Sequence, residues 1–429
     1  MHDPEAQISR RMAIKGTAAA GVGLVGGGAF ANGLLDNTAI PPEALMISND
    51  EWFAQRAWSV SANKVLGATT AVTSLAKRIY RPKSAEEIAE IVKSLPAATP
   101  IACVCGGHES SNAAMVASGE AVILDLIGFK SIEFHQSGGT PDDESLVTVG
   151  SGVVFRELVE AVKLHGGALP VGTGPGVGVA GYVTNGGLSS YFSRRLGLLG
   201  QRVVKMTVVT PAGEIRVLTP KDELFTAMLG AGSSLAIVVD LTLRLADASV
   251  VKFAEQRVFG FETREQAVHY SHEAMRFMRE HVIPNESVSL DFVGKSVVGE
   301  APLDEAQLSI VEIRSLGGAA QKGARIPTGN CHHAFFVDLI TLYDAKAKST
   351  AERKAIVDGT DRIVDQARAI KGLGVDFSGT HSQPDDVGRT GVAAEIFGSA
   401  EMAATVRRLK KQVDPENRLR FHPFAKFIA

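Results

Sequence analysis

The chain has 429 residues, 45% of them apolar and 21% charged, so it is globular and long enough for two or three domains with substantial cores. A net charge of −3 gives no general attraction to nucleic acid or to an anionic membrane. Three cysteines, Cys103, Cys105 and Cys331, are too few for a disulfide framework. Cys331-His332-His333 has no second ligand pair at metal spacing, so no metal is expected.

At the N-terminus, Ser9-Arg10-Arg11-Met12-Ala13-Ile14-Lys15 precedes a small-residue and apolar run from Gly16 to Phe30 that ends in Ala29-Phe30-Ala31. Paired arginines, a weakly hydrophobic stretch and a small-x-small ending read as a twin-arginine export signal over 1–31, and hence as a periplasmic or secreted protein. The run is too short and glycine-rich for a permanent membrane span. Gly21-x-Gly23-x-x-Gly26 imitates a dinucleotide fingerprint but follows no strand. Residues 32–74 read as a lead-in carrying Trp52, Phe53 and Trp58.

After Arg81-Pro82-Lys83, the sequence Ser84-Ala85-Glu86-Glu87 matches a capping box, and Ile88, Ile91, Val92 and Leu95 follow at helical spacing. A buried strand from Ile101 then enters the turn Cys105-Gly106-Gly107-His108, continued by Glu109-Ser110-Ser111-Asn112. Glycine permits close backbone approach, and successive turn N–H groups make an anion cradle; the hydroxyls that follow suit a phosphate or diphosphate. On these residues alone, a strand-to-loop junction with an incidental histidine is as good a reading.

Strands are expected over Ala121–Leu126 and Leu146–Val149, and a helix carries Phe155, Leu158, Val159 and Val162. The densest glycine region runs from Gly172 and Thr173 through Gly176, Val177, Gly178, Gly181 and Tyr182 to Gly186-Gly187. Gly176-x-Gly178-x-x-Gly181 formally matches the Rossmann pattern, but the residue about twenty positions on is Gln201 and no acid is there for a ribose. Val203–Thr210 and Glu214–Leu218 form a hairpin around Pro211-Ala212-Gly213, and Glu223-Leu224-Phe225 starts a short helix before a β-rich run over Leu235–Leu245. From about Ser249 glycines thin out: helices open at Thr263 and Ser349, both with capping boxes, and strands are expected over Ser287–Val293 and Ala334–Leu342. A last helix with Met402, Val406 and Leu409 leads to Asp414-Pro415-Glu416-Asn417 and Phe421-His422-Pro423.

The order of these segments resembles FAD-linked oxidases of the vanillyl alcohol oxidase type, with a PCMH-type FAD-binding fold, closest to berberine bridge enzyme-like proteins. It rests on Arg81-Pro82 with its capped helix, Cys105-Gly106-Gly107-His108, Gly172–Gly187, Ser193-Arg194-Arg195-Leu196-Gly197, Gly230-Ala231-Gly232 with Leu235-Ala236-Ile237-Val238, and the C-terminal motifs. It covers 75–250 well and the last 30 residues fairly.

The resemblance implies an α+β fold: a flavin domain of two α/β subdomains over 75–249, a substrate domain with an antiparallel sheet over 250–395, and a segment over 396–429 that returns to the flavin domain. It makes Val104–Asn112 the diphosphate cradle, has Gly176–Gly187 border the cofactor, gives Ile237 backbone contacts to it, and marks His108 for covalent attachment to the flavin. Gly174 stands where some relatives carry a second covalent cysteine, so a single link is expected. Small Gly172 and Thr173 lean toward oxygen as acceptor, with a periplasmic electron carrier as the alternative. The implied reaction is hydride transfer from a small organic substrate, with Tyr191, Asp291, His333, Tyr343, His381 and His422 as candidate bases. A non-catalytic flavin-fold binding protein is the remaining alternative.

Overall fold

The computed structural model describes residues 46–47, 76–107, 121–136, 145–250 without 173 and 190, 263–281, 289–294, 308–315, 317–329 without 324, 335–342, 349, 351–352, 355 and 391–428 without 423. The expected export signal over 1–31 lies outside them, as do His108, Glu109, Ser110, Ser111, Asn112, Thr173, His333, Tyr343 and His381.

The first layer contains β1 (Met46–Ile47), β2 (Arg78–Tyr80), α1 (Ala85–Ser94), β3 (Ile101–Val104) and β4 (Val122–Asp125). Its sheet runs β1-β2-β4-β3, with β2, β4 and β3 parallel. Ser84 caps α1 by accepting from the Glu87 N–H at 3.2 Å. The Glu87 carboxylate accepts from Lys83 N–H at 2.6 Å, one residue before the partner expected for a reciprocal box. The helical spacing of Ile88, Ile91 and Val92 puts all three in one core with Ile101, Val122 and Leu124.

The second layer follows: β5 (Ile132–Gln136), β6 (Ser145–Gly150), α2 (Phe155–Leu164), β7 (Gly167–Ala168), α3 (Val179–Thr184), α4 (Ser193–Leu196), β8 (Val203–Val209), β9 (Ile215–Leu218), α5 (Glu223–Ala231), β10 (Ile237–Arg244) and β11 (Ala246–Asp247). Five strands make an antiparallel sheet in the order β5-β6-β10-β8-β9. The expected hairpin is present, its turn closed by the Thr210 N–H on the Glu214 carbonyl at 2.9 Å. The edge strand β5 was not foreseen: its apolar positions are only Ile132 and Phe134, both half-buried. Val147, Val149, Met206, Leu241 and Leu243 from the sheet share a core with Leu158 and Val162 of α2, Val183 of α3 and Met228 of α5. Each such fully buried side chain contributes on the order of 1.5–3 kcal/mol before entropy is counted.

Next come α6 (Arg264–His281), β12 (Ser289–Gly294), β13 (Leu308–Ser315), α7 (Ala319–Lys322) and β14 (Phe335–Leu342). Thr263 and Gln266 cap α6 reciprocally, at 3.2 and 3.3 Å. The three strands form an antiparallel sheet β12-β13-β14 in which Asp291, Glu312 and Asp338 stand opposite one another. The middle strand, β13, was not anticipated.

The chain ends with α8 (Val392–Phe397), α9 (Ala400–Val413) and α10 (Ala425–Ile428). Val392, Ile396, Phe397, Val406, Leu409 and Ile428 join the core of the second layer, so the return to that layer is under way by Val392. A buried ionic junction follows α9. Lys410 Nζ donates to the Asp414 carboxylate at 2.6 Å and to the carbonyls of Ser234 and Leu419 at 2.8 and 3.1 Å. The same carboxylate accepts from the backbone N–H groups of Arg418 and Leu419, at 2.8 and 2.9 Å. The Arg418 guanidinium donates to the carbonyls of Pro211, Val92 and Thr99 at 2.6, 3.1 and 3.3 Å. One short stretch thus ties α9 to α1, to the β8–β9 turn and to the lead into β10.

Removing one member of a buried pair strands the other without water. Asp414→Ala and Lys410→Met are each expected to cost about 3–5 kcal/mol of stability, and the double variant well under the sum. Denaturant unfolding of all four proteins checks this, and strict additivity would refute the pairing.

Candidate cofactor site

Ligands of open α/β sheets gather beyond the carboxyl ends of parallel strands. That is where the first glycine turn lies: Val104 ends β3 buried, and Cys105-Gly106-Gly107 follows, with Gly107 at φ 68°. Level with Val104, Asp125 ends β4 wholly buried; it holds the Arg81 guanidinium at 2.9 Å and accepts from the Ile127 N–H at 3.3 Å. Arg81 follows β2, so three parallel strand ends meet here. Burial, followed by the neighbouring Cys105 thiol, pushes the Cys103 thiol far up, which keeps it protonated and unreactive.

The second glycine loop meets the first turn backbone to backbone. A Cβ on Gly106 would lie 2.5 Å from the Gly178 nitrogen and 2.8 Å from the Gly176 oxygen; one on Gly178 would lie 2.6 Å from the Gly106 nitrogen. No side chain fits at either position. The loop is fixed from its other side by Arg156 N–H on Pro175 O, Phe155 N–H on Val177 O and Val179 N–H on Val153 O, at 2.9, 3.0 and 3.0 Å. Tyr182 packs edge-to-face on Phe155 at 4.8 Å, and its hydroxyl donates to the Leu188 carbonyl. These two rings fill the place of a side chain at Gly172, where a Cβ would lie 2.9 and 3.1 Å from them. Packing therefore demands glycine there, whatever it does for oxygen. Gly181 has open space around a would-be Cβ, and Gly186 and Gly187 have φ 91° and 77°.

Other candidates are placed unevenly. Ile237 opens β10 with its side chain wholly in the core, so it offers a ligand only backbone. Tyr191 is 53% exposed just beyond the second loop. Asp291 lies on β12, opposite Glu312. Phe421 packs against the core of the first layer that contains Ala102 and Val104, and the ring of its neighbour His422 covers the space over Gly232. Its Nδ1 accepts from the Phe424 N–H at 3.2 Å, so the neutral ring carries its proton on Nε2. That Nε2 is buried with no hydrogen-bond partner among the described residues. Burial above all, then the charge of Lys410, pushes its pKa down to about 3. Such a ring suits hydrogen-bond donation to a bound group rather than proton abstraction.

A backbone cradle made by two glycine segments is suited to an elongated, diphosphate-bearing cofactor, and the buried His422 Nε2–H over Gly232 is a further donor without a partner among the described residues. Sequence reading missed Asp125 and Phe421. Asp125 has a signal, an acid at the end of an apolar strand, whereas Phe421 stands in the motif Phe421-His422-Pro423 with nothing in it to say what its ring packs on.

Gly106→Ala is expected to cost at least about 1–3 kcal/mol through overpacking and to abolish flavin retention, read as visible absorbance per mole of purified protein. For His422 the folded pKa lies below the ordinary 6.5, so stability is lost as pH falls from 6.5 toward about 3. His422→Phe should flatten the pH dependence of unfolding in that window; a ring signal titrating near 6.5 by NMR would contradict the assignment.

Residues 76–219 match the FAD binding domain family. An FAD-linked oxidoreductase of Aspergillus niger is 27% identical over 173 residues, 39% of this chain and 35% of that protein, so the match spans about a third of that curated relative. Among solved structures, berberine bridge enzyme from Eschscholzia californica superposes with a TM-score of 0.62 at 14% identity, covering 88% of this chain and 95% of the other. The glucooligosaccharide oxidase of Acremonium strictum, described with a 6-S-cysteinyl, 8α-N1-histidyl FAD, gives 0.57 at 14% identity, over 88% and 97%. At such identities the superpositions establish the fold, and it is the PCMH-type FAD-binding fold expected from the sequence. Residues 76–219 are thus an FAD-binding domain, carried on the fold that berberine bridge enzyme and glucooligosaccharide oxidase share.

Proposed function

We propose that the protein is an FAD-dependent oxidoreductase that oxidises a small organic substrate at an alcohol, sugar or amine carbon, with oxygen as acceptor. The observation that carries this is the Gly106–Gly178 contact, which builds a backbone cradle inside the domain matched to FAD binding. Bound FAD supplies the two-electron acceptor for a hydride from the substrate carbon. The chain's part is to hold and orient it. The backbone of the first turn would receive the diphosphate, the second glycine loop would border the cofactor, and the Nε2–H of His422 would be a donor for a bound group. Proton removal from the substrate falls to another group, with Tyr191 and Asp291 as the candidates among the described residues.

His108, directly after Gly107, is the proposed covalent tether, since a neutral imidazole nitrogen is a nucleophile near neutral pH. The histidyl link named for the glucooligosaccharide oxidase supports this, and Gly174 leaves no cysteine for a second link. Export through the twin-arginine route, read from Arg10-Arg11, agrees with a cofactor loaded before transport.

On acid precipitation the parent protein should keep its yellow colour in the pellet, and His108→Ala should release it to the supernatant; release from both would exclude the tether. Peroxide formed in step with substrate turnover supports oxygen as acceptor, whereas turnover only with an artificial acceptor would replace it by an electron carrier. Replacing Arg10 and Arg11 by lysine should leave the precursor unprocessed in the cytoplasm. Unchanged export would remove the twin-arginine reading.

A further inference from the structure

The connection between β13 and β14 includes a stretch, 317–329, that lies on the FAD-binding layer, and its seats are glycines. A Cβ on Gly200 would stand 3.0 Å from the Ile326 side chain, one on Gly230 would overlap the Pro327 carbonyl, and one on Gly186 would stand 3.2 Å from the Thr328 side chain. Three consecutive residues of this strap thus sit on three glycines from three separate elements. Gly200 belongs to the turn before β8, Gly230 to α5, and Gly186 to the end of the second glycine loop. Ile326, Pro327 and Thr328 are all buried. Upstream, Gln201 Nε2 donates to the Ala320 carbonyl at 2.9 Å while its Oε1 accepts from the Leu198 N–H at 2.8 Å. A Cβ on Gly323 would lie 2.7 Å from that same amide.

Gly186 is no passive floor. Its φ of 91° turns the loop, its N–H is held by Val183 O at 3.0 Å, and its carbonyl accepts from the Gly200 N–H at 3.1 Å. Thr328 packs on the residue where the second glycine loop reverses direction, and Ile326 packs on the residue that pairs with it.

We propose that the strap sets the shape of the second glycine loop and that Thr328 is a positioning residue for the bound flavin, acting through Gly186. In sequence the strap lies between β13 and β14. That role of Thr328 rests on the FAD reading above, but its first readout does not.

Gly230→Ala tests it, because alanine favours α5 by propensity while its methyl displaces the Pro327 carbonyl. Thr328→Gly removes the three side-chain atoms that face Gly186, and Thr328→Ser restores the Cβ and oxygen. In the full-length protein, amide hydrogen exchange over 183–187 should accelerate roughly tenfold in Gly230→Ala and Thr328→Gly and return toward parent in Thr328→Ser. The visible circular dichroism of bound flavin should change in the first two and recover in the third. Unchanged exchange over 183–187 in both disruptive variants overturns the proposal. So does equal acceleration across the whole FAD-binding layer, which would make Thr328 ordinary packing. If either disruptive variant fails to fold, the other carries the test; if both fail, Thr328→Ala, which keeps only the Cβ, is read in their place, and parent-like global stability with loop exchange unchanged overturns the proposal. Protein purified without flavin would sink the FAD reading, yet exchange over 183–187 would still decide the strap's role.

Discussion

The site depends on two pieces of backbone touching where neither has a side chain. Gly106 lies in the turn after a parallel strand and Gly178 caps a short helix, and their main-chain atoms meet at a distance that a single methyl would forbid. Close contact of this kind gains little energy by itself. Its effect is geometric: the N–H groups of the first turn are brought beside the second loop, and the two form one wall. Phe155 and Tyr182 keep the second loop from sliding, because their edge-to-face pair fills the space over Gly172.

A second constraint makes the arrangement discontinuous in sequence. The C-terminal stretch is pinned by a carboxylate that satisfies an ammonium and two backbone N–H groups at once, in surroundings that exclude water. Buried ion pairs of this kind are poor sources of net stability but costly to break, so they specify one arrangement over others. Here the arrangement specified is the delivery of Phe421 to the core of the first layer and of His422 to Gly232. The return of the chain is thereby part of the site as well as part of the core.

Chemistry and scaffold divide cleanly. On the proposed reading a flavin would carry the redox step, and the polypeptide would then need donors in the right places more than a reactive side chain. That accounts for a site composed chiefly of glycines and backbone, with one neutral histidine whose proton is fixed on Nε2 by the Phe424 amide. It also accounts for the strap: three residues seated on three glycines can hold a loop's shape without contributing any functional group.

Local structure was legible in the sequence wherever it is set by neighbours along the chain. The caps at Ser84 and Thr263, the turn at Gly213 and the helical spacing of Ile88, Ile91 and Val92 depend on residues a few positions apart. The glycine turn after Val104 and the glycine loop that follows were also readable, because glycine is chosen for what the backbone must do. What each glycine must accommodate was not readable. Gly106 opposes Gly178, Gly230 opposes Pro327 and Gly232 opposes His422, across separations of 72, 97 and 190 residues, and a missing Cβ does not say which neighbour takes its place. His422 stood out as a candidate base for the same reason. Its tautomer and depressed pKa come from Phe424, Lys410 and burial together, and only the packed chain brings those three to one ring.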